Sequence, residues 1–328
     1  MKSLDEKLAD LHADPGGSDA FILADAKDAD MAFGLAAPGT DRATGRMRSL
    51  AEFRDQIREI VHQGLVDLML MSVSTSELLT TEERLFDTSA VTPAVRANDT
   101  TDIHMLTGAS YPRQPSRPFH TPSVPEVTER AGVDLALYSI TPANDADVDF
   151  AALEAYREFR AEAVGHGLRH FLEVFAPNVP GQVPDDPGRF LNDFVARTLA
   201  GVPKAARPLF LKLPYSGADA MQALAAYDPH LIPGILGGAS GTTYDAFFLL
   251  EDARRNGARA ALFGRKIKDS EHPLTFVQYL RLIADGQAEA AGACRSYHAD
   301  LRRLGITPAR PLEQDLQLTD LNAAHGPQ

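Results

Sequence analysis

The sequence predicts a single-domain (β/α)8 barrel. Two observations carry this reading. Eight short apolar runs recur along the chain, and amphipathic helical patterns separate them. The runs lack a clean polar alternation, as expected of parallel strands covered on both faces. Repeated strand–helix units imply right-handed crossovers in a parallel sheet, and eight of them favour a closed barrel over a doubly wound sheet. The chain has 328 residues, a length suited to a barrel with insertions, and its 44 % hydrophobic content supplies a large core.

In chain order the runs are 20–24 (AFILA), 66–73 (VDLMLMSV), 91–95 (VTPAV) and 133–140 (VDLALYSI). They continue with 171–175 (FLEVF), 209–213 (LFLKL), 231–236 (LIPGIL) and 260–263 (AALF). Helical spacing places Phe53, Ile57, Ile60 and Val61 on one face of 50–63. The same period runs through 150–165, 190–199, 219–227, 245–256 and 274–284. Acidic residues gather at helix starts, and Gly64, Gly167 and Gly257 close helix ends, as capping physics favours. The expected organisation is an N-terminal segment 1–19, the barrel at 20–288, and a C-terminal helix and extended tail at 289–328. The stretch 98–125, rich in Pro, Ser and Thr, follows the third strand on the face where barrel sites lie. It reads either as an active-site lid or as a plain insertion.

The formal charge of −13, from 32 basic and 45 acidic residues, makes nucleic acid and anionic membranes poor partners. Cys294 is the sole cysteine, so no intramolecular disulfide forms. That suits a cytoplasmic setting and reads as a small buried side chain rather than a nucleophile. Residues 1–14 contain no apolar core of a signal peptide, and no run approaches the ~20 apolar residues of a membrane helix. His166 and His170 straddle a helix end and a strand start, so no metal motif is read. Neither a metal nor another cofactor is expected.

Lys212 lies within the apolar run PLFLKLP. A charge facing a dry interior is expensive, so a lysine there either sheds its proton and becomes a nucleophile or reaches water or a carboxylate. Glu173 interrupts FLEVF on the preceding strand, where it can share the barrel mouth with Lys212 as proton carrier or as structural ion-pair partner. Asp25 ends the first run, suited either to a site or to capping, whereas Lys27 and Asp28 read as loop. Gly237 and Gly238 follow the seventh run, and Gly264 and Arg265 the eighth. Barrels often hold phosphate between those two loops, and the arginine beside them adds to that reading; the alternative is ordinary turn glycine.

With these residues in place, the stretch from about 20 to 285 resembles the class I, Schiff-base aldolases of the deoxyribose-phosphate aldolase-like barrel group. It is similar in particular to the tagatose-bisphosphate, sulfofructose-phosphate and archaeal-type fructose-bisphosphate aldolases. The segments FLEVF, LFLKLPYSG and GILGGASGTTYDAFFLLEDARRNGARAALFGRKI carry the resemblance. It implies an imine on Lys212, proton transfer by Glu173 and Asp25, and phosphate held by Gly237, Gly238, Gly264 and Arg265. The implied partner is a small phosphorylated sugar, and a homo-oligomer is expected. Leu236 stands where the family has a small residue, Leu137 and Tyr138 where tagatose-type relatives carry a lysine, and 98–125 has no counterpart. A transaldolase-like or acyl-transferring relative, or a non-catalytic sugar-phosphate-binding barrel, is the alternative.

Overall fold

The computed structural model describes residues 1–42, 44–238 and 241–319. All eight expected strands form: β1 (Ile22–Lys27), β2 (Leu68–Met71), β3 (Thr92–Arg96), β4 (Leu135–Ile140), β5 (Arg169–Val174), β6 (Leu211–Lys212), β7 (Gly234–Leu236) and β8 (Ala260–Phe263). They pair in parallel in the order β6-β5-β4-β3-β2-β1-β8-β7. A parallel bridge between Leu213 and Ile235 closes the β6–β7 seam. The chain is therefore a (β/α)8 barrel, with a long loop after β3 and an additional helix, Ala290–Arg303, after the last unit.

Helix boundaries follow the caps. Helix Leu50–Gln63 starts at a Ser49–Glu52 capping box and ends at Gly64 in the left-handed region. Helix Ala146–Gly165 begins earlier than its apolar pattern because Asp145 accepts the backbone N–H groups of Asp147 and Val148. β2 ends at Met71, short of the apolar run, because Ser72 caps the following helical turn. β1 instead continues past Asp25 to Lys27, which pairs with Met71 of β2.

Side-chain alternation along the strands divides the core. Ile22, Ala24, Leu68, Leu70, Ala94, Leu135, Leu137, Phe171, Phe210, Ala260 and Leu262 fill the barrel interior. Alternate residues such as Leu23, Met69, Met71, Ile235 and Phe263 pack under the helices. Helix Ser3–Ala13 adds Leu4, Leu8 and Leu11 to the interior cluster and so plugs the N-terminal end of the barrel. Lys2 holds it there by donating to the carbonyls of Phe86, Ser89 and Val91 at 2.7–2.9 Å.

The described part of the tail is not simply extended. It contains a short helix, Leu312–Asp315, while residues 320–328 lie outside the described residues. Among the described residues no helix is long and apolar enough to cross a membrane.

Leu4→Ala should lower the unfolding free energy by about 2–5 kcal/mol, the range for a buried large-to-small change. Urea denaturation checks this. An unchanged midpoint would mean that the helix does not seal the barrel.

Candidate active site

Four inward positions at the C-terminal ends of adjacent strands carry polar groups where lower layers carry Leu, Ala and Phe. These are Arg96, Ser139, Glu173 and Lys212, all buried. Ser139 and Lys212 each stand in register with Glu173, on its two neighbouring strands. The Lys212 ammonium donates to Glu173 Oε1 at 2.5 Å. Ser139 Oγ and Arg96 Nη2 donate to Glu173 Oε2 at 2.6 and 3.1 Å. Arg96 also donates through Nη1 to Ser139 Oγ at 2.7 Å and through Nε to Asp28 Oδ2 at 2.5 Å. Burial alone would raise the Glu173 carboxyl, but the charges of Lys212 and Arg96 and the bonds from Lys212 and Ser139 outweigh it. Glu173 therefore titrates below the usual carboxylate range. Both readings of the Lys212–Glu173 pair, proton carrier and structural ion pair, put the two groups in contact, as they are here, and the lysine is not left alone in a dry interior.

These side chains open into a cavity of about 140 Å³ at the C-terminal mouth. That is room for on the order of ten waters, the scale of a small polar metabolite rather than a polymer. Glu173, Lys212, Gly237, Gly238, Gly264 and Arg265 all line it. Asp25 does not. It shares the outward alternation of Leu23, is fully buried, and accepts from Lys27 Nζ at 2.6 Å. Its Oδ1 has no hydrogen-bond partner among the described residues. Burial raises its carboxyl, against the opposing pull of Lys27. The aspartate that β1 delivers to the cavity wall is Asp28, just beyond the strand end.

Lys27, the last residue of β1, and Asp28, just after it, which the sequence suggests are loop residues, both line the cavity. Arg96 and Lys268, which the run pattern alone does not mark, also line the cavity. Arg96 directly follows the apolar run VTPAV at the end of β3, and its parity with Ala94 is the signal the sequence carries. Lys268 lies one helical turn beyond Gly264 and is only 7 % exposed; its Nζ donates to the Ala37 carbonyl at 3.0 Å. Burial lowers its ammonium below the ordinary lysine range.

The corner of the cavity between β7, β8 and β1 is therefore cationic, with Lys27, Arg265 and Lys268 beside three glycines. Gly237 admits no side chain, since a Cβ there would meet the Phe263 ring at 2.1 Å. Gly264 is similarly pressed against the Ala26 carbonyl, 2.5 Å from where its Cβ would stand. Packing thus requires both glycines, and their backbone also faces the cavity. Ala239 and Ser240 of the glycine-rich stretch lie outside the described residues.

The long loop lies over the mouth. Its two short strands, Asp99–Thr100 and Pro118–Phe119, pair antiparallel. Met105 N donates to the Ala32 carbonyl at 2.7 Å, Asn178 Nδ2 donates to the carbonyls of Pro112 and Gln114, and Ile103 lines the cavity. The loop bridges the segments after β1 and β5. Arg113 and Arg117, its basic residues, are exposed and do not line the cavity.

Away from the cavity, Cys294, His298 and Asp315 bring metal-ligand atom types within 4.8 Å of one another. Asp315 is already engaged there, by His298 Nε2 at 2.8 Å and by the Thr243 N–H at 2.8 Å. The trio clasps the C-terminal segment to the start of helix Thr243–Arg255.

Solved structures share this architecture. An archaeal fructose-1,6-bisphosphate aldolase, captured with its catalytic lysine covalently bound to the carbinolamine intermediate of its substrate, matches with a TM-score of 0.63 at 15% identity. The match covers 85% of this chain and 100% of that one. A fructose-bisphosphate aldolase from Slackia heliotrinireducens matches with a TM-score of 0.64 at 14% identity, covering 92% of each chain. A protein from Corynebacterium glutamicum matches with a TM-score of 0.61 at 22% identity, covering 87% of this chain and 98% of that one. At these identities the likeness is one of fold. No family model and no curated protein matches the sequence.

Asp99, buried behind Arg96 at 3.8 Å, supplies a pH signature. Burial, opposed by Arg96 and by the Thr100 N–H, pushes its carboxyl up to about 6. A carboxyl raised on folding contributes stability that is full below its unfolded value of ~3.9 and is lost as pH rises through about 6. Asp99→Asn should therefore gain on the order of 2 kcal/mol on wild type between pH 4 and pH 8. Urea midpoints across that range test this. A difference flat in pH would place Asp99 at an ordinary carboxylate value.

Proposed function

We propose that this chain is a class I aldolase that makes or breaks a carbon–carbon bond in a small phosphorylated ketose through an imine on Lys212. The observation that carries the reading is one cavity holding both a buried lysine in contact with a carboxylate and, across from it, a glycine-lined cationic corner. The first supplies imine chemistry and the second a seat for a phosphate. The solved aldolases of the same fold, one with a lysine-bound carbinolamine, support it. The single cysteine and acidic surface suit a cytoplasmic enzyme.

In this mechanism Glu173 Oε1 takes a proton from the Lys212 ammonium. The freed amine adds to the ketone carbon, and the carbinolamine oxygen takes a proton back. Loss of water gives the protonated imine, which accepts the electron pair as the carbon–carbon bond breaks. Asp28, the second carboxylate on the cavity wall, is placed to take the proton of the substrate hydroxyl. Asp25, behind the strand, stays outside this path and holds Lys27. Lys27, Arg265, Lys268 and the backbone at Gly237, Gly238 and Gly264 hold the phosphate. A fixed remote anion orients the carbonyl over the lysine.

Incubation with a panel of ketose phosphates and dihydroxyacetone phosphate, followed by borohydride, should leave a stable adduct on Lys212 by mass spectrometry. Lys212→Ala and Lys212→Arg should leave none, because a guanidinium does not release its proton to attack a carbonyl. Full turnover in Lys212→Ala would end the imine reading.

The phosphate seat has its own test. Arg265→Ala should raise KM about tenfold with a smaller change in kcat, as expected when one charge-assisted bond by a partly exposed group is lost. An unchanged KM would remove Arg265 from the seat.

A further inference from the structure

We infer that Arg96 is a positioning residue: it does not grip the substrate but holds Glu173 and Asp28, the two carboxylates of the cavity, in place around Lys212 and keeps Glu173 anionic. The inference rests on the imine reading and deepens it.

A guanidinium offers five N–H donors in a rigid fork. Three of Arg96's point at protein acceptors: Nε at Asp28 Oδ2, Nη1 at Ser139 Oγ, and Nη2 at Glu173 Oε2. Asp99 Oδ1 stands 3.8 Å from Nη1. Arg96 is 4 % exposed, and no edge of the fork remains with two free parallel donors for a substrate carboxylate or phosphate. Other cationic residues, Lys27, Arg265 and Lys268, line the cavity at β1 and after β8.

The partners are also fixed from behind. Ser139 Oγ accepts from Arg96 and passes its own proton toward Glu173 Oε2. Its backbone is clamped by Asn98, which accepts the Ser139 N–H at 2.6 Å and donates to the Ser139 carbonyl at 2.9 Å. Arg96 and Ser139 therefore reach Glu173 from β3 and β4, and Lys212 reaches it from β6, so both carboxylate oxygens have donors.

Charge explains what this achieves. Asp28, Glu173 and Asp99 all face Arg96, while Lys212 touches only Glu173 among them. Without the guanidinium, these carboxyls would share a dry space in which Lys212 pairs with Glu173 alone. Like charges so placed do not all remain ionised. A protonated Glu173 has no vacant site for the Lys212 proton, and amine attack stops. The Lys212–Glu173 pair works when it holds one proton and fails when it holds two, and Arg96 keeps the second proton off.

Arg96→Met removes the charge, and Arg96→Lys restores charge without the fork. Two measurements separate the possibilities: carbon-13 NMR titration of the Glu173 carboxyl in the full-length protein, and the rate of borohydride-trapped adduct formation with dihydroxyacetone phosphate as a function of pH. In Arg96→Met the Glu173 titration and the acid limb of trapping should both move up by at least one pH unit. At the acid limb that is a tenfold or greater loss in rate, recovered by raising the pH. Arg96→Lys should return the limb toward the wild-type position, with a lower plateau.

Ser139→Ala, which deletes one donor without unpairing a charge, should shift both in the same direction by less. It carries the test if Arg96→Met does not fold. Unmoved titration and limb in folded variants would overturn the inference and leave the imine intact. Absence of any adduct in the wild type would instead end the imine reading, and the Glu173 titration would still decide whether Arg96 holds that carboxyl ionised.

Discussion

The top layer of the barrel is governed by the need to neutralise buried charge internally. Below it the strands meet through Leu, Ala and Phe. Above it lie Arg96, Ser139, Glu173 and Lys212, with Asp28 alongside, all at most 6 % exposed. An isolated ion in such a space is destabilising by several kcal/mol, and a pair is tolerated only when its remaining lone pairs and protons are also bonded. The network meets that condition at Glu173, where each oxygen has at least one donor. The strand register supports this, because Ser139, Glu173 and Lys212 stand side by side on β4, β5 and β6. A slip of one residue on any of these strands would turn its polar group into the apolar layer under the helices.

The same alternation explains what was legible beforehand. Lys212 and Glu173 could be found because each interrupts a run of apolar residues and shares parity with an inward neighbour, Phe210 or Phe171. Asp25 directly follows the run at 20–24, but its parity is that of Leu23, on the helix side. Placing it at the strand end hid this, since β1 runs two residues further and Asp28 is the carboxylate that reaches the cavity. Arg96 directly follows the run at 91–95, so it does not stand out as an interruption of it. A charge at a strand terminus looks like a solvated end until the strands are arranged in a ring. The eight strands themselves were legible because each is short, apolar and separated by a capped helix. The helix starts at Asp145 and the strand end at Ser72 were less so, because a cap depends on one hydrogen bond and leaves little trace in periodicity.

The segments without a simple strand–helix pattern attach to the mouth. The loop after β3 starts at Asn98, whose side chain clamps Ser139, and continues through Asp99, which faces Arg96. It then crosses to Ala32 and Asn178. Its first residues thus belong to the charge network, while its exposed arginines do not reach the cavity. On the opposite side the C-terminal segment grips the start of the helix after β7. Asp315 accepts the Thr243 N–H, and Thr319 bonds Asp245. Lys266 and Arg310 both donate to the Gly241 carbonyl. Gly241 is thereby held both by the helical turn after β8 and by the C-terminal segment.

These constraints bear on how a buried lysine becomes a nucleophile. One route is desolvation alone, in which an unpaired ammonium in an apolar pocket loses its proton to reach a tolerable state. That route leaves no nearby group to return the proton when the carbinolamine forms and again when water leaves. The other route keeps the ammonium beside a carboxylate that can accept and return a proton over 2.5 Å. The second arrangement sets an opposing requirement. The carboxylate must be anionic before the step, which favours cationic neighbours, yet basic enough to take the proton, which disfavours them. Arg96 and Ser139 both bond Oε2, while Lys212 bonds Oε1. In the proposed mechanism the oxygen that exchanges the proton is thus distinct from the one that is held, and this division would let one carboxylate meet both demands.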